Sequence, residues 1–67
     1  MRKYRLISQA VAGEYLNKKE WDERPTIGQV RAVVGDIKAA TEIVKDGFPT
    51  VNGTMYWLEV FKDGWWR

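Results

Sequence analysis

The residues best suited to specific contact in this chain are Trp57, Phe61 and Trp65, which the sequence groups around a single carboxylate, Glu59. Catalytic chemistry has little to work with. There is no Cys and no His, which removes disulfides, thiolate and imidazole metal sites, and Cys or His catalysis. Ser8 is the only serine and has no histidine to activate it. General acid–base work needs a positioned pair, but Glu20, Asp22 and Glu23 share one charged stretch and Asp36, Asp46 and Asp63 fall at expected element ends or turns. The six glycines are dispersed, so no glycine-rich loop cradles a phosphate. A non-enzyme with no metal and no cofactor is expected, and the chemistry left to it is contact.

A three-stranded antiparallel meander must position those aromatics. Phe48 to Val51 reads as a strand, Asn52-Gly53 as a two-residue turn, Thr54 to Phe61 as the returning strand, and Lys62-Asp63-Gly64 as a second turn before Trp65 and Trp66. Strand alternation sends Tyr56, Leu58 and Val60 to one face and Met55, Trp57, Glu59 and Phe61 to the other. A bulged second turn, with Gly64 left-handed, pairs Phe61 with Trp65; Trp65 then joins the Glu59 face and Trp66 leaves it. Carboxylates are rarely buried without a partner, so the long helix described next is expected on the uncharged face. Met55, Trp57, Glu59, Phe61 and Trp65 then form a candidate protein-binding patch, since Trp and Tyr dominate many interface energies. In the competing arrangement shorter helices cover this face and Glu59 pairs with Lys62 or Arg67 at its rim.

The clearest helix starts at Thr26, where Thr26-Ile27-Gly28-Gln29 has the capping-box spacing. Ile27, Val30, Val34, Ile37, Thr41 and Val44 then follow a three-four alternation, widened by Val33 and Ala40. Lys45 suits the last turn, and Gly47 is the expected left-handed terminator. Gly35 in the middle costs about 1 kcal/mol relative to Ala, which makes a break there the alternative to one long helix. If the helix is continuous, Gly28, Ala32, Gly35 and Ala39 fall in one narrow stripe opposite the Val/Ile face, a second candidate docking surface. Upstream, Tyr4 to Ile7 is an expected short strand, followed by a helix over Ala10 to Leu16. Another short helix starts at Asn17-Lys18-Lys19-Glu20 and ends before Pro25, with Trp21 as its buried anchor.

Composition bounds these readings. A chain of 67 residues is one domain, covering 1–67, and buries only about 60% of the surface its unfolded form exposes. Its stability margin is therefore thin, and a dense aromatic core, self-association or a partner must compensate. Eleven basic residues balance nine acidic ones to within two charges, too evenly for bulk electrostatics to imply nucleic-acid binding. Arg2, Lys3 and Arg5 do make one basic cluster. No stretch approaches the roughly 20 apolar residues of a membrane span, and a cytoplasmic soluble protein is expected.

One stretch resembles the small phage excisionases of the winged-helix class. Glu20-Trp21, Arg24-Pro25-Thr26 and Val30-Arg31 are similar to that family's tryptophan-bearing first helix and proline-led, hydroxyl-capped recognition helix, and Lys45-Asp46-Gly47 to the approach to its wing. The resemblance covers about a third of the chain. It implies DNA binding, with Arg31, Lys38, Lys62 and Arg67 as the cations available to phosphate. Where such recognition helices carry consecutive basic residues and an aromatic, this chain has Ala32-Val33-Val34.

The expected architecture is an α+β domain in which one long helix packs across a C-terminal meander while the N-terminal segment closes an edge or covers the other face. The expected function is a non-catalytic regulatory or inhibitory module that binds a larger protein through the aromatic face. Many virus-encoded inhibitors of host machinery are compact domains of this kind. Winged-helix DNA binding is the alternative, and a homodimer is a third arrangement.

Overall fold

The computed structural model describes residues 2–67. The chain runs β1 (Lys3–Ala10), β2 (Tyr15–Trp21), α1 (Ile27–Val34), α2 (Ile37–Val44), β3 (Thr50–Val51), β4 (Thr54–Lys62) and β5 (Trp65–Trp66). All strand pairs are antiparallel, in the order β2-β1-β4-β3, and β5 takes the far end of the same β4 edge that β3 occupies. The fold is α+β. Its first strand is an interior one, neither an edge closure nor a cover, because β1 pairs along its whole length with β4 from Lys3↔Phe61 to Ala10↔Thr54.

An interior strand needs a partner for each of its two rows of backbone groups, and β1 takes the second from residues 15–21. That requirement overrides the local helix signals expected from Ala10 to Pro25. Ala10–Leu16 instead completes β1 and turns, with the Gly13 amide donating to the Ala10 carbonyl at 3.1 Å. Asn17 and Glu20, spaced like a helix cap and its third residue, do hydrogen-bond, but side chain to side chain along β2 at 2.8 Å. The bulge opposite Leu6 and Ile7 makes this contact, since it puts residues three apart on the same face. Strand β2 also occupies the place of the tryptophan-bearing first helix that the excisionase resemblance implies.

The Thr26 capping box forms as the spacing predicts. The Gln29 amide donates to Thr26 Oγ1 at 3.2 Å, and the Thr26 amide donates to Gln29 Oε1 at 2.9 Å. The single long helix does not form. Gly35 turns left-handed (φ 77°) with its amide on the Arg31 carbonyl at 2.8 Å, and Asp36 restarts the helix by accepting from the Ala39 amide at 2.9 Å. At the end of α2 the left-handed residue is Asp46 (φ 64°), one earlier than expected. The Asp46 amide donates to Ile43 and the Gly47 amide to Glu42, which is a Schellman closure. Gly47 is needed there for space, because a Cβ would lie 2.9 Å from the Glu42 carbonyl oxygen.

The break resets the helical phase. Ile37 and Val33, assigned to one apolar stripe by the continuous pattern, are 51% and 37% exposed, while Ile43 moves into the core. Leu6, Val30, Ala40 and Ile43 form that core, with Trp21, Ile27, Val34, Val44, Tyr56 and Leu58 packed around it. Ala39 is buried whereas Gly28 and Ala32 are exposed, so the small-residue stripe of Gly28, Ala32, Gly35 and Ala39 does not exist as one surface. Arg24 ties the layers together: its guanidinium donates to the Val44 carbonyl and pairs with Asp46 at 3.0 Å, over the Tyr4 ring. No described helix is long and apolar enough to cross a membrane.

The Gly35 turn yields a test. A methyl group at this position meets nothing within 4 Å, so Gly35→Ala isolates the conformational cost of a positive φ. Urea unfolding should show a loss of about 1 kcal/mol with an unchanged m-value. A variant as stable as the parent would mean that α1 and α2 are not separated by a left-handed residue.

Candidate functional site

Both helices lie on the sheet face that carries Leu6, Tyr56 and Leu58. The other face carries Arg5, Ile7, Met55, Trp57, Glu59 and Phe61 by register, and no helix covers it. Residues opposite one another in an antiparallel pair share a face, which adds Tyr15, opposite Gln9, and Trp66, opposite Phe61. Trp65 lies elsewhere. The second turn is a two-residue one in which Asp63 (φ 55°) and Gly64 (φ 83°) are both left-handed, so Lys62 pairs with Trp65 and Phe61 with Trp66. The bulged turn would have shifted that pairing by one residue; without it Trp65 goes to the Lys62 side, 69% exposed, and Trp66 takes its place.

Glu59 organises the face. Register places Arg5 directly across from it, and Arg5 Nε and Nη2 reach Glu59 Oε1 at 2.7 and 2.6 Å. The other oxygen, Oε2, accepts from the Trp57 indole Nε1–H at 2.9 Å and from the Tyr15 hydroxyl at 3.2 Å. An ionised carboxylate has about four acceptor sites, and these donors fill them. The expected partners Lys62 and Arg67 are not the ones used. Lys62 points to the helix side, and Arg67 lies 3.9 Å from Asp63.

Rings extend outward from this polar centre. The Arg5 guanidinium carbon lies 4.2 Å from the Trp66 ring centroid, and Trp66 meets Phe61 edge-on at 5.3 Å. On the other flank Trp57 contacts Tyr15 at 5.7 Å and Phe48 at 6.4 Å between centroids. Ile7, opposite Trp57, is fully buried despite lying on the helix-free side. The aromatic layer is therefore closed at its base and open at its top, where Phe48 is 67% and Tyr15 51% exposed.

The electrostatics follow from the same contacts. Burial pushes the Glu59 carboxyl up, but the hydrogen bonds from Trp57 and Arg5, the Arg5 charge and the Tyr15 hydroxyl together outweigh it and hold the group below the usual carboxylate range. Arg5 and Glu59 cancel in charge. The centre of the face thus carries an ion pair whose donors and acceptors are turned inward.

Of the residues singled out in the sequence, Met55, Trp57, Glu59 and Phe61 share this face. Tyr15, Phe48, Arg5 and Trp66 are added by the fold. Tyr15 was hidden by the helix reading of its segment. The Trp66 register had a visible signal, since Asp63-Gly64 is as good a two-residue turn as Asn52-Gly53. The DNA-binding candidates do not share one element: Arg31 is on α1, Lys38 in the first turn of α2, and Lys62 and Arg67 flank the last turn. With Gly35 between them, Arg31 and Lys38 are not on one recognition helix. No protein-family model, curated protein or solved structure matches the chain, and the reading of the face rests on its own geometry.

The lowered Glu59 value has a consequence for stability. Between the folded and the ordinary glutamate values the unfolded chain holds more protons, so stability rises with pH there. The Glu59 contribution is complete above the ordinary value and lost as pH falls through the lowered one. Glu59→Gln should cost about 1 to 2 kcal/mol at neutral pH, between the values for exposed and fully buried pairs, and should flatten the acid limb of the stability profile. Coincident profiles for the two proteins would remove Glu59 as the organiser of the face.

Proposed function

We propose that this protein is a non-catalytic regulatory or inhibitory module that binds a larger protein through its helix-free sheet face. One observation carries the reading: the aromatic side chains on that face are held in place from beneath while their outer surfaces stay open. Trp57 and Trp66 are each fixed by a contact to the Glu59–Arg5 pair, and Phe48 and Tyr15 stand highest beside them. Such an arrangement favours binding in two ways. Rings fixed before contact lose little side-chain entropy on association, and Trp, Tyr and Arg are the residue types in which interface energy concentrates. The ion pair has its hydrogen bonds satisfied within the face, so covering it strands neither charge.

Inhibition fits the same physics. A small module without chemistry of its own acts by occupying a surface, and a flat aromatic face suits a partner's apolar patch. The partner is accordingly a protein with an exposed, weakly charged surface. Its complex should be insensitive to salt, unlike a contact made through phosphates.

Phe48→Ala and Phe61→Ala test the proposal with modest risk to the fold, because neither residue belongs to the fully buried core. With a photoactivatable cross-linker at position 48, the protein should capture a discrete protein partner from nuclease-treated lysate of its native source. A cross-linker at Lys38, on the helix side, should not. Each alanine variant should reduce competition for that capture by about tenfold or more, the effect of losing a dominant interface side chain. Equal capture from both positions, or full competition by the folded variants, would contradict the assignment of the face.

A further inference from the structure

We infer that the helix-free face also packs against its own copy, sheet on sheet, to form a symmetric homodimer in the absence of the larger partner. The inference rests on the same reading of this face as a contact surface and adds the identity of one occupant.

The polar groups narrow what can lie on the face. The Trp57 indole N–H, the Tyr15 hydroxyl, both reaching edges of Arg5 and both oxygens of Glu59 already serve one another. Nothing at the centre is left to read a phosphate, a sugar hydroxyl or the carbonyls of an extended peptide. The face is electrically neutral there and selects for a flat, apolar, aromatic-tolerant surface. The chain carries one such surface, and it is this face.

Dimensions agree. The nine residues of β4 run about 30 Å at roughly 3.4 Å per residue, which matches the longest extent of the molecule, 33 Å. The shortest extent, 16 Å, accommodates the sheet-to-helix stack, so the open face spans the two longer directions. A sheet of this length and width presents on the order of 600 to 800 Å² in projection, close to the share of one partner in a standard interface. A two-fold arrangement presents the same patch from both copies, so the inward-turned ion pair of each is covered by rings of the other. Need agrees as well. Seven hydrophobic residues are fully buried in this chain, few for a domain without disulfide or metal, and association supplies the missing burial.

The test is sedimentation equilibrium of the purified protein from about 1 μM to about 1 mM, the range over which a face of this size is expected to saturate. The mass should rise from that of the 7.8 kDa chain to twice that value. Phe48→Glu, at an exposed position, should keep the far-UV circular dichroism of the parent and shift the midpoint at least tenfold toward the monomer. Two results overturn the inference: a monomer throughout the range, or a dimer that Phe48→Glu leaves intact. A proline at Glu20 guards against pairing through the β2 edge, since loss of the dimer there and not at Phe48 assigns the association to that edge. A monomer whose face still cross-links the larger partner ends the self-association alone. A dimer disrupted by Phe48→Glu, with no partner capture through the face, ends the larger-partner reading alone.

Discussion

The contact on which the rest of this structure turns is the pairing of Glu59 with Arg5 across the two interior strands. A carboxylate in the middle of a sheet face is costly unless its acceptor sites are filled, and here Arg5, Trp57 and Tyr15 fill them from three different strands. The same pair therefore locks β2, β1 and β4 in register on that face. It also aims two tryptophans, one through a hydrogen bond from its indole N–H and one through stacking on the guanidinium. Removing the charge would leave the opposite charge without a partner and the rings without a fixed position.

This pairing explains the division of labour between the two faces. The helix side is closed by a conventional apolar core built on Leu6, Val30, Ala40 and Ile43. The other side cannot be closed in that way, because it carries an ion pair at its centre. It is instead levelled, with Ile7 buried beneath and aromatic rings around the charges. A small chain thereby keeps a broad ordered surface without a second layer of its own. Its readiness for contact and its thin stability margin have the same origin.

Much of this was legible in the residues. Alternation along Thr54 to Lys62 separates the Glu59 face from the Leu58 face, and Asn52-Gly53 and Thr26-Ile27-Gly28-Gln29 mark a turn and a helix start that both form. The N-terminal third was not legible. Residues 15–21 carry cap-like and charged residues that locally favour a helix, and only the demand of β1 for a second partner makes them a strand. The partner of Glu59 was hidden for the same reason: Arg5 lies 54 residues away in sequence and meets it only once β1 enters the sheet beside β4. Gly35 illustrates a subtler limit. The apolar pattern runs through it without interruption, yet one left-handed residue and the Asp36 cap shift the phase of everything that follows.

The central claim is that Glu59 holds the aromatic face in place, and the indole N–H of Trp57 reports on it most directly. In a pH titration followed by nitrogen–proton NMR, that resonance should lie downfield, exchange slowly with solvent, and move with the ionisation of Glu59 below the usual carboxylate range, while the exposed Trp65 indole does none of these. A Trp57 indole that exchanges as fast as that of Trp65 and ignores acid would contradict the account.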